Sequence, residues 1–258
     1  MWVIWDWKLE IVWDLDIEIW NFAGVVKSMT MLEETKEKGK RRRVGLFGGT
    51  FNPIHLGHLR GAEEIWQAFR LEEVIFIPSS VPPHKMTEKV AEAKHRLEMV
   101  RLATSSNPHF SSSNLELSRP GRSFSVDTLR HFRERQKDAF FFILGGDAFQ
   151  EIETWKDFQI LFSLCHFIVM VRMGSQKNIS SSPFPEALVP DFRYDPEESA
   201  WVHRAGHRVY FKEISFLDIS ATRVRELIEK GETAKYLIPA EVEAYIEKYG
   251  LYRKRPLT

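Results

Sequence analysis

The sequence has a single cysteine, no net charge and no apolar run long enough to cross a membrane. One cysteine excludes an internal disulfide and fits a reducing compartment, so we expect a cytoplasmic protein. Zero formal charge supplies no global positive field that would attract nucleic acid or an anionic membrane. A membrane helix needs about 20 consecutive apolar residues, and no stretch approaches that length. We therefore expect neither a nucleic-acid nor a membrane partner, and any phosphate binding has to come from a local arrangement of residues.

The composition is that of a globular protein. The chain has 258 residues, of which 43% are hydrophobic and 28% charged, enough for one large α/β domain or two small ones. The cysteine, Cys165, lies within the apolar run 161–168. This context predicts a thiol packed in the core and not a nucleophile.

The first 42 residues differ in character from the rest of the chain. Five of the eight tryptophans fall within residues 1–28, and residues 13–20 alternate apolar and acidic side chains as a half-buried strand does. Residues 29–43 are almost wholly polar and charged. We interpret 1–42 as an extension or linker that is dispensable for chemistry, with Met29 or Met31 as an alternative start. Residues 43–258 then form the functional domain.

Short apolar runs alternate with helical patterns along residues 43–258. Strand, helix and strand within some thirty residues predict a βαβ unit with a parallel sheet. The whole pattern predicts an α/β fold, a Rossmann-like doubly wound parallel sheet with C-terminal helices. Residues 173–207, rich in Ser, Pro and Asp, predict a long loop or a small excursion. The predicted strands are 44–47, 74–77, 139–144, 167–171 and 209–211, with less certain segments at 110–113 and 115–117; the predicted helices are 59–69, 88–105, 125–132, 220–230 and 240–249.

The segment after the first predicted strand carries the strongest chemical signal. It reads Gly48-Gly49-Thr50-Phe51-Asn52-Pro53-Ile54-His55-Leu56-Gly57-His58. The two glycines allow close approach of the backbone to a ligand. His55 and His58 fall on one face at the start of a helix, whose N-terminus favours anions. This arrangement suits the phosphates of a nucleotide, where imidazole donors neutralise charge on a pyrophosphate leaving group.

Two other interpretations of this segment are weaker. Histidines three apart can bind zinc, but no Cys/His cluster supplies the remaining ligands. A glycine pair before a helix also opens dinucleotide-binding domains. The G-x-G-x-x-G fingerprint of those domains is absent here, because Thr50 and Pro53 interrupt it.

A second polar segment lies far downstream, from Ile219 to Arg225. Ser220 is placed to cap a helix, and Thr222 and Arg225, three apart, share one face of it. Arg223 points elsewhere and is expected to form a surface ion pair. Two helix N-termini that meet at the carboxyl edge of a parallel sheet would form a polyphosphate site.

Together the two segments resemble the signatures of the nucleotidylyltransferase superfamily, H-x-G-H and I-S-x-T-x-x-R. The resemblance implies a nucleotidyltransferase domain at 43–258, with His55, His58 and Arg225 as catalytic residues and ATP as substrate. The residues implied to bind ATP are Gly48, Gly49, Thr50, Phe51, Ser220 and Thr222. Ala221 stands where the superfamily often has serine.

Further stretches resemble bacterial nicotinate-nucleotide adenylyltransferases in particular. They run in order from Arg43 to Tyr252: 82–85, 96–99, 116–129, 145–155 and 236–252. The resemblance implies that Trp155 stacks on the nicotinate ring, that Thr128 positions the ring or its ribose phosphate, that Lys85 reaches phosphates, and that Asp147 holds ribose hydroxyls or orders magnesium. Arg172-Met173-Gly174 departs from the R-P-G of the family.

The implied reaction is transfer of AMP from ATP to nicotinate mononucleotide, with Mg²⁺ accompanying ATP and with no metal site made by the protein alone. Two alternatives remain open at this stage. One is a sister enzyme acting on nicotinamide mononucleotide or phosphopantetheine; the other is a non-catalytic nucleotide-binding module. The sequence is compatible with a homo-oligomer and does not fix the oligomeric state.

Overall fold

A computed structural model of the chain describes residues 41–81, 90–119, 121–135, 138–172 and 183–253. The extension inferred at 1–42 lies largely outside these ranges. Lys85, for which a binding role was predicted, also lies outside them. The domain predicted at 43–258 begins where the first strand begins, at Arg43.

One eight-stranded sheet organises the described chain, in the order β3-β2-β1-β4-β5-β8-β7-β6. The first six strands of this order are parallel, and β7 and β6 run antiparallel at one edge. β1 pairs with β2 on one side and β4 on the other, with Leu46 opposite both Ile75 and Phe142. The strands are β1 Arg43–Gly49, β2 Glu73–Pro78, β3 Phe110–Ser112, β4 Ala139–Gly145, β5 His166–Arg172, β6 Phe192–Asp195, β7 Ala200–His203 and β8 Arg208–Ile214.

Helices cover both faces of the sheet, which explains why the central strands are apolar throughout. β4 buries five consecutive residues, 140–144, as expected for a strand covered on both sides. No helix in the described ranges combines the length and apolarity of a membrane span. The helices are α1 Leu56–Ala68, α2 Ala93–Thr104, α3 Ser125–Arg135, α4 Gly146–Gln150, α5 Phe158–Leu161, α6 Ala221–Lys230 and α7 Ala240–Tyr249, with short 3-10 turns at Ile152–Thr154 and Glu186–Asp191.

The core has two halves, one on each face of the sheet. On one face, Ile65 of α1, Met99 of α2 and Val224 of α6 pack in one cluster with residues of β1, β2 and β4. On the other face, Leu129 of α3 and Leu161 of α5 pack in a second cluster with the alternate residues of the same strands. The predicted α/β fold with a doubly wound, mainly parallel sheet is therefore confirmed.

The direction of winding changes at β1 and β4. From β1 the chain adds β2 and β3 on one side, and from β4 it adds β5 and β8 on the other. Ligands of such sheets bind outside the carboxyl ends of the strands at this switch point. The residues that follow β1 and β4 are therefore the first place to look for a site.

The structure differs from the sequence-based expectation in three places. Residues 173–207 were expected to form a long loop or a small excursion, with no strand predicted, but β6 and β7 form an antiparallel hairpin that extends the sheet from β8. The uncertain segment 115–117 is a turn. Helix α3 begins at Ser125 itself, and the carbonyl of Phe124 accepts from the N–H of Thr128. By contrast, Gly231 ends α6 with a φ of 76°, as predicted.

The thiol of Cys165 should be unreactive in the folded protein. The residue is 4% exposed, and burial raises the pKa of the thiol, whereas the thiolate is the reactive form. We expect a thiol-specific disulfide reagent to react in native buffer at least about a hundredfold more slowly than in guanidinium chloride, because reaction requires opening of the core. Rapid stoichiometric reaction in native buffer would show that the thiol is accessible.

Candidate active site

The turn after β1 places the two predicted histidines together. His55 is the N-cap residue of α1 and His58 is the third residue of its first turn. The backbone N–H of His55 donates to Nδ1 of His58 over 3.2 Å, and the two rings stack with centroids 3.6 Å apart. The predicted placement of both imidazoles at a helix N-terminus is therefore confirmed.

Gly57, between the histidines, is required by this packing. A Cβ atom at position 57 would lie 3.1 Å from Nδ1 and 3.2 Å from Cε1 of His55, closer than most such contacts. The side chain of His55 is held against this backbone and is 7% exposed. The glycine in H-x-G-H thus makes room for the first histidine ring.

The two rings differ in burial, since His55 is buried and His58 is half-buried. Burial lowers the pKa of His55 to about 4, so this ring is neutral at neutral pH. Its Nδ1 is buried without a hydrogen-bond partner among the described residues. Because Nδ1 of His58 accepts a backbone N–H, a neutral His58 ring carries its proton on Nε2 and can donate from there.

Two clefts open at the carboxyl ends of β1 and β4. The first, which we call the histidine cleft, measures about 290 Å³ and is lined by His55, His58, Asp147 and residues of β5 and of the segment after β8. The second, the tryptophan cleft, measures about 460 Å³ and is lined by Trp155 and Thr128 among others. Gly145, the last residue of β4, lines both. Ligands in the two clefts would therefore meet at the switch point of the sheet.

The downstream segment reaches the turn after β1 through Arg225. Its Nη1 donates to the backbone carbonyl of Asn52 over 2.9 Å, and its Nη2 donates to the hydroxyl of Thr222 over 3.3 Å. Asn52 lies three residues before His55. The two separated segments expected to share one ligand are thus in direct contact, on the same side of the molecule.

The other residues of the downstream segment have simpler roles in the structure. The hydroxyl of Ser220 accepts from the N–H of Arg223 and caps α6, as predicted. Arg223 pairs with Glu226 on the surface, also as predicted. Ser220 and Thr222 are exposed and line neither cleft. Their predicted contact with ATP stays a prediction.

The glycine turn lies nearer to the tryptophan cleft than was expected. Gly48, Gly49 and Thr50 line that cleft, although the sequence grouped them with ATP. The ring of Phe51 is 3% exposed and packs edge-on against Phe47, so only its backbone is available to a ligand.

Asp147 also differs from its expected grouping. It was assigned to the mononucleotide together with Thr128 and Trp155, but it lines the histidine cleft at the start of α4. The carboxylate therefore lies on the side of the two imidazoles.

In the tryptophan cleft, Trp155 packs one edge against Phe142, with ring centroids 6.2 Å apart, and remains partly exposed to the cleft. The hydroxyl of Thr128 is buried; it donates to the carboxylate of Glu116 over 2.7 Å and accepts from Arg119 over 3.1 Å. Both hydroxyl functions are engaged by neighbouring side chains. Thr128 thus shapes the wall of the cleft.

Several residues at the site had no role assigned from sequence. Arg122 and Lys156 bring positive charge to the tryptophan cleft. Arg96 of α2, 1% exposed, donates to the backbone carbonyls of Thr50, Ser80 and Ala91 at 2.8 to 2.9 Å. Tyr252 donates to the side-chain oxygen of Asn52 over 2.9 Å. Arg96 and Tyr252 lie in stretches that resemble the family. This resemblance was the only indication in the sequence that either residue has a role at the site.

Comparisons with known proteins agree with this geometry. The family model described as cytidylyltransferase-like matches residues 46–227. The protein named probable nicotinate-nucleotide adenylyltransferase of Geobacter metallireducens is 44% identical over 211 residues, which cover 81% of this chain and 98% of that protein. A protein of the same name from Syntrophotalea carbinolica is 42% identical over 214 residues, 83% of this chain and 98% of that one.

Solved structures show the same fold at lower identity. Nicotinic acid mononucleotide adenylyltransferase of Plasmodium falciparum complexed with NaAD superposes with a TM-score of 0.62 at 20% identity, covering 82% of this chain and 97% of that one. The same protein complexed with APC gives a TM-score of 0.60. With the fold, the paired histidines and the extent of these matches in agreement, the chain belongs to the cytidylyltransferase-like family and, within it, to the nicotinate-nucleotide adenylyltransferases.

Proposed function

We propose that this chain transfers AMP from ATP to nicotinate mononucleotide, giving deamido-NAD and pyrophosphate. The observation that carries the proposal is the meeting of two chemically different clefts at Gly145. One cleft has features that suit a polyphosphate, and the other has features that suit an aromatic mononucleotide. A reaction that joins two nucleotides needs this arrangement.

ATP occupies the histidine cleft. The N-terminus of α1 carries roughly half a positive charge, and both imidazoles lie within its first turn. The Nε2–H of His58 is a polar group that a phosphate oxygen would engage, and the ring of His55 lines the same cleft. Arg225 adds a fixed positive charge beside the same turn.

The mononucleotide occupies the tryptophan cleft. The exposed face of Trp155 offers a stacking surface for a pyridine ring, and Arg122 and Lys156 balance the negative charges of the phosphate and the ring carboxylate. Lys85 stays a predicted phosphate contact. Gly48 and Gly49 allow the phosphate of the mononucleotide to approach the end of β1.

The reaction is an in-line displacement at the α-phosphorus of ATP. An oxygen of the mononucleotide phosphate forms the new P–O bond, the bond from the α-phosphorus to the β-phosphate oxygen breaks, and pyrophosphate leaves with the electron pair. The nucleophile is already an anion, so no general base is required. Positioning and charge neutralisation by His58, Arg225 and the helix N-terminus supply the catalysis.

Magnesium enters with ATP as part of the substrate. Among the described residues no group of three or more His, Cys, Asp or Glu side chains is arranged to hold a metal ion. Asp147 contributes one carboxylate to the histidine cleft. One carboxylate together with substrate phosphates is the usual donor set for Mg²⁺. The residues therefore fit a Mg–ATP complex. The cytoplasmic location that we expect from the single cysteine is a compartment in which this complex is available.

Acceptor selectivity tests the proposal directly. We expect purified protein with Mg–ATP to release pyrophosphate with nicotinate mononucleotide and to do so more slowly with nicotinamide mononucleotide or phosphopantetheine. Preference for one of the other acceptors would assign a sister activity. ATP binding without pyrophosphate release from any acceptor would identify a non-catalytic nucleotide-binding module.

Replacing His58 should separate its catalytic role from its role at the helix start. His58→Asn retains an acceptor for the N–H of His55 but removes the Nε2–H donor that reaches the cleft. We expect kcat to fall by about 10²–10³, the usual loss for one charge-stabilising donor. The thermal unfolding midpoint should change little, since the acceptor at the cap is kept. A kcat within threefold of the parent protein would exclude His58 from the reaction.

Removing the indole of Trp155 should weaken the mononucleotide selectively. Stacking of an aromatic side chain on a base contributes about 1–3 kcal/mol, so Trp155→Ala should raise the KM for nicotinate mononucleotide roughly five- to a hundredfold. The KM for ATP should stay unchanged. Trp66→Phe is the matched control, because Trp66 stacks on His109 and lines neither cleft. An unaltered KM for the mononucleotide in Trp155→Ala would refute the stacking assignment.

A further inference from the structure

Asn52 is the point at which the turn after β1 is attached to the rest of the protein. It is 3% exposed, and its two oxygens accept different bonds. The side-chain oxygen accepts from the N–H of Ala91 over 3.0 Å and from the hydroxyl of Tyr252 over 2.9 Å. The backbone carbonyl accepts from Arg225. A displacement of Asn52 would therefore displace the partner of the catalytic arginine.

Tyr252 reaches Asn52 from the far end of the chain, 200 positions away. Burial raises the pKa of its hydroxyl, which is therefore protonated and a donor at neutral pH. The residue adopts a φ of 65°, a left-handed backbone that is unfavourable for a non-glycine side chain. The ring is half-buried, and its hydroxyl is directed at the active-site turn.

The same C-terminal segment makes a second bond to this turn. The N–H of Leu56, at the start of α1, donates to the carbonyl of Leu237 over 2.9 Å. Asn52 and Leu56, which lie on either side of His55, are thus both bonded to residues of the segment that follows α6. Arg96 of α2 also holds Thr50, in the same turn. These contacts tie the turn to elements that are distant in the sequence.

We propose that Tyr252 is a positioning residue for adenylyl transfer. Its hydroxyl fixes Asn52, and the backbone carbonyl of Asn52 keeps Arg225 in place for the phosphates of ATP. The kinetic effects expected from this proposal rest on the proposed function. The expected effect on ATP binding does not, because binding is measured without turnover. Tyr252 itself lines neither the histidine cleft nor the tryptophan cleft.

Tyr252→Phe tests the proposal, because it removes the hydroxyl and keeps the ring. Tyr245→Phe is the matched control: the hydroxyl of Tyr245 joins α7 to α2 through a 2.9 Å hydrogen bond to His95, with no contact to the turn. We expect Tyr252→Phe to weaken Mg–ATP binding, measured by calorimetry, about three- to tenfold, and Tyr245→Phe to leave it unchanged. The KM for nicotinate mononucleotide should be unchanged in both variants.

A double-mutant cycle tests whether Tyr252 acts through Arg225. In an Arg225→Ala background, Tyr252→Phe should reduce ATP affinity less than twofold further. Fully additive losses would show that the tyrosine acts independently of Arg225 and would overturn the proposal, as would equal losses of affinity in Tyr252→Phe and Tyr245→Phe. Absence of pyrophosphate release by the parent protein would sink the proposed function alone, because the calorimetric comparison does not depend on turnover.

Discussion

The hydrogen bond from Arg225 to the carbonyl of Asn52 is the contact on which the site depends. It joins a helix that begins after the last strand to a turn that follows the first, and it does so beside two stacked imidazoles. Neither segment can bind a polyphosphate well alone, since each supplies only part of the positive charge. Their contact places Arg225 beside the turn that carries both imidazoles.

The sheet makes this contact feasible. β1 and β8 lie three places apart in the sheet order, and the helices α1 and α6 that follow them pack in the same core cluster. Because parallel strands end at a common edge, both helices present their N-termini there. The change of winding direction between β1 and β4 leaves space on either side of Gly145, with one cleft on each side. In the proposed reaction, two substrates in these clefts would meet end to end.

Much of the fold could be predicted from sequence because its local signals agree with its tertiary structure. β4 reads as an unbroken apolar run, and Ser220 and Gly231 mark the ends of α6. The hairpin of β6 and β7 was missed, since its strands have four residues each and their partner, β8, comes later in the chain. Short edge strands stabilised by non-local pairing leave little periodicity to detect.

The chemistry of the site was easier to predict than its support. Glycines and histidines before a helix indicate an anion site by their residue types alone. Arg96 gives no such indication, because its partners are three backbone carbonyls in loops that only the folded chain brings together. The same holds for Tyr252 and Asn52. The grouping of Asp147 with the mononucleotide followed from the resemblance of 145–155 to the family, whereas in the structure Asp147 lines the histidine cleft.

An experimental structure of the protein with a non-hydrolysable ATP analogue and nicotinate mononucleotide would test the shared site most directly. The account predicts the phosphates of the analogue against His58 and Arg225, with the pyridine ring on Trp155 and the two ligands meeting at Gly145. A triphosphate bound away from Arg225, or both ligands in a single cleft, would contradict it.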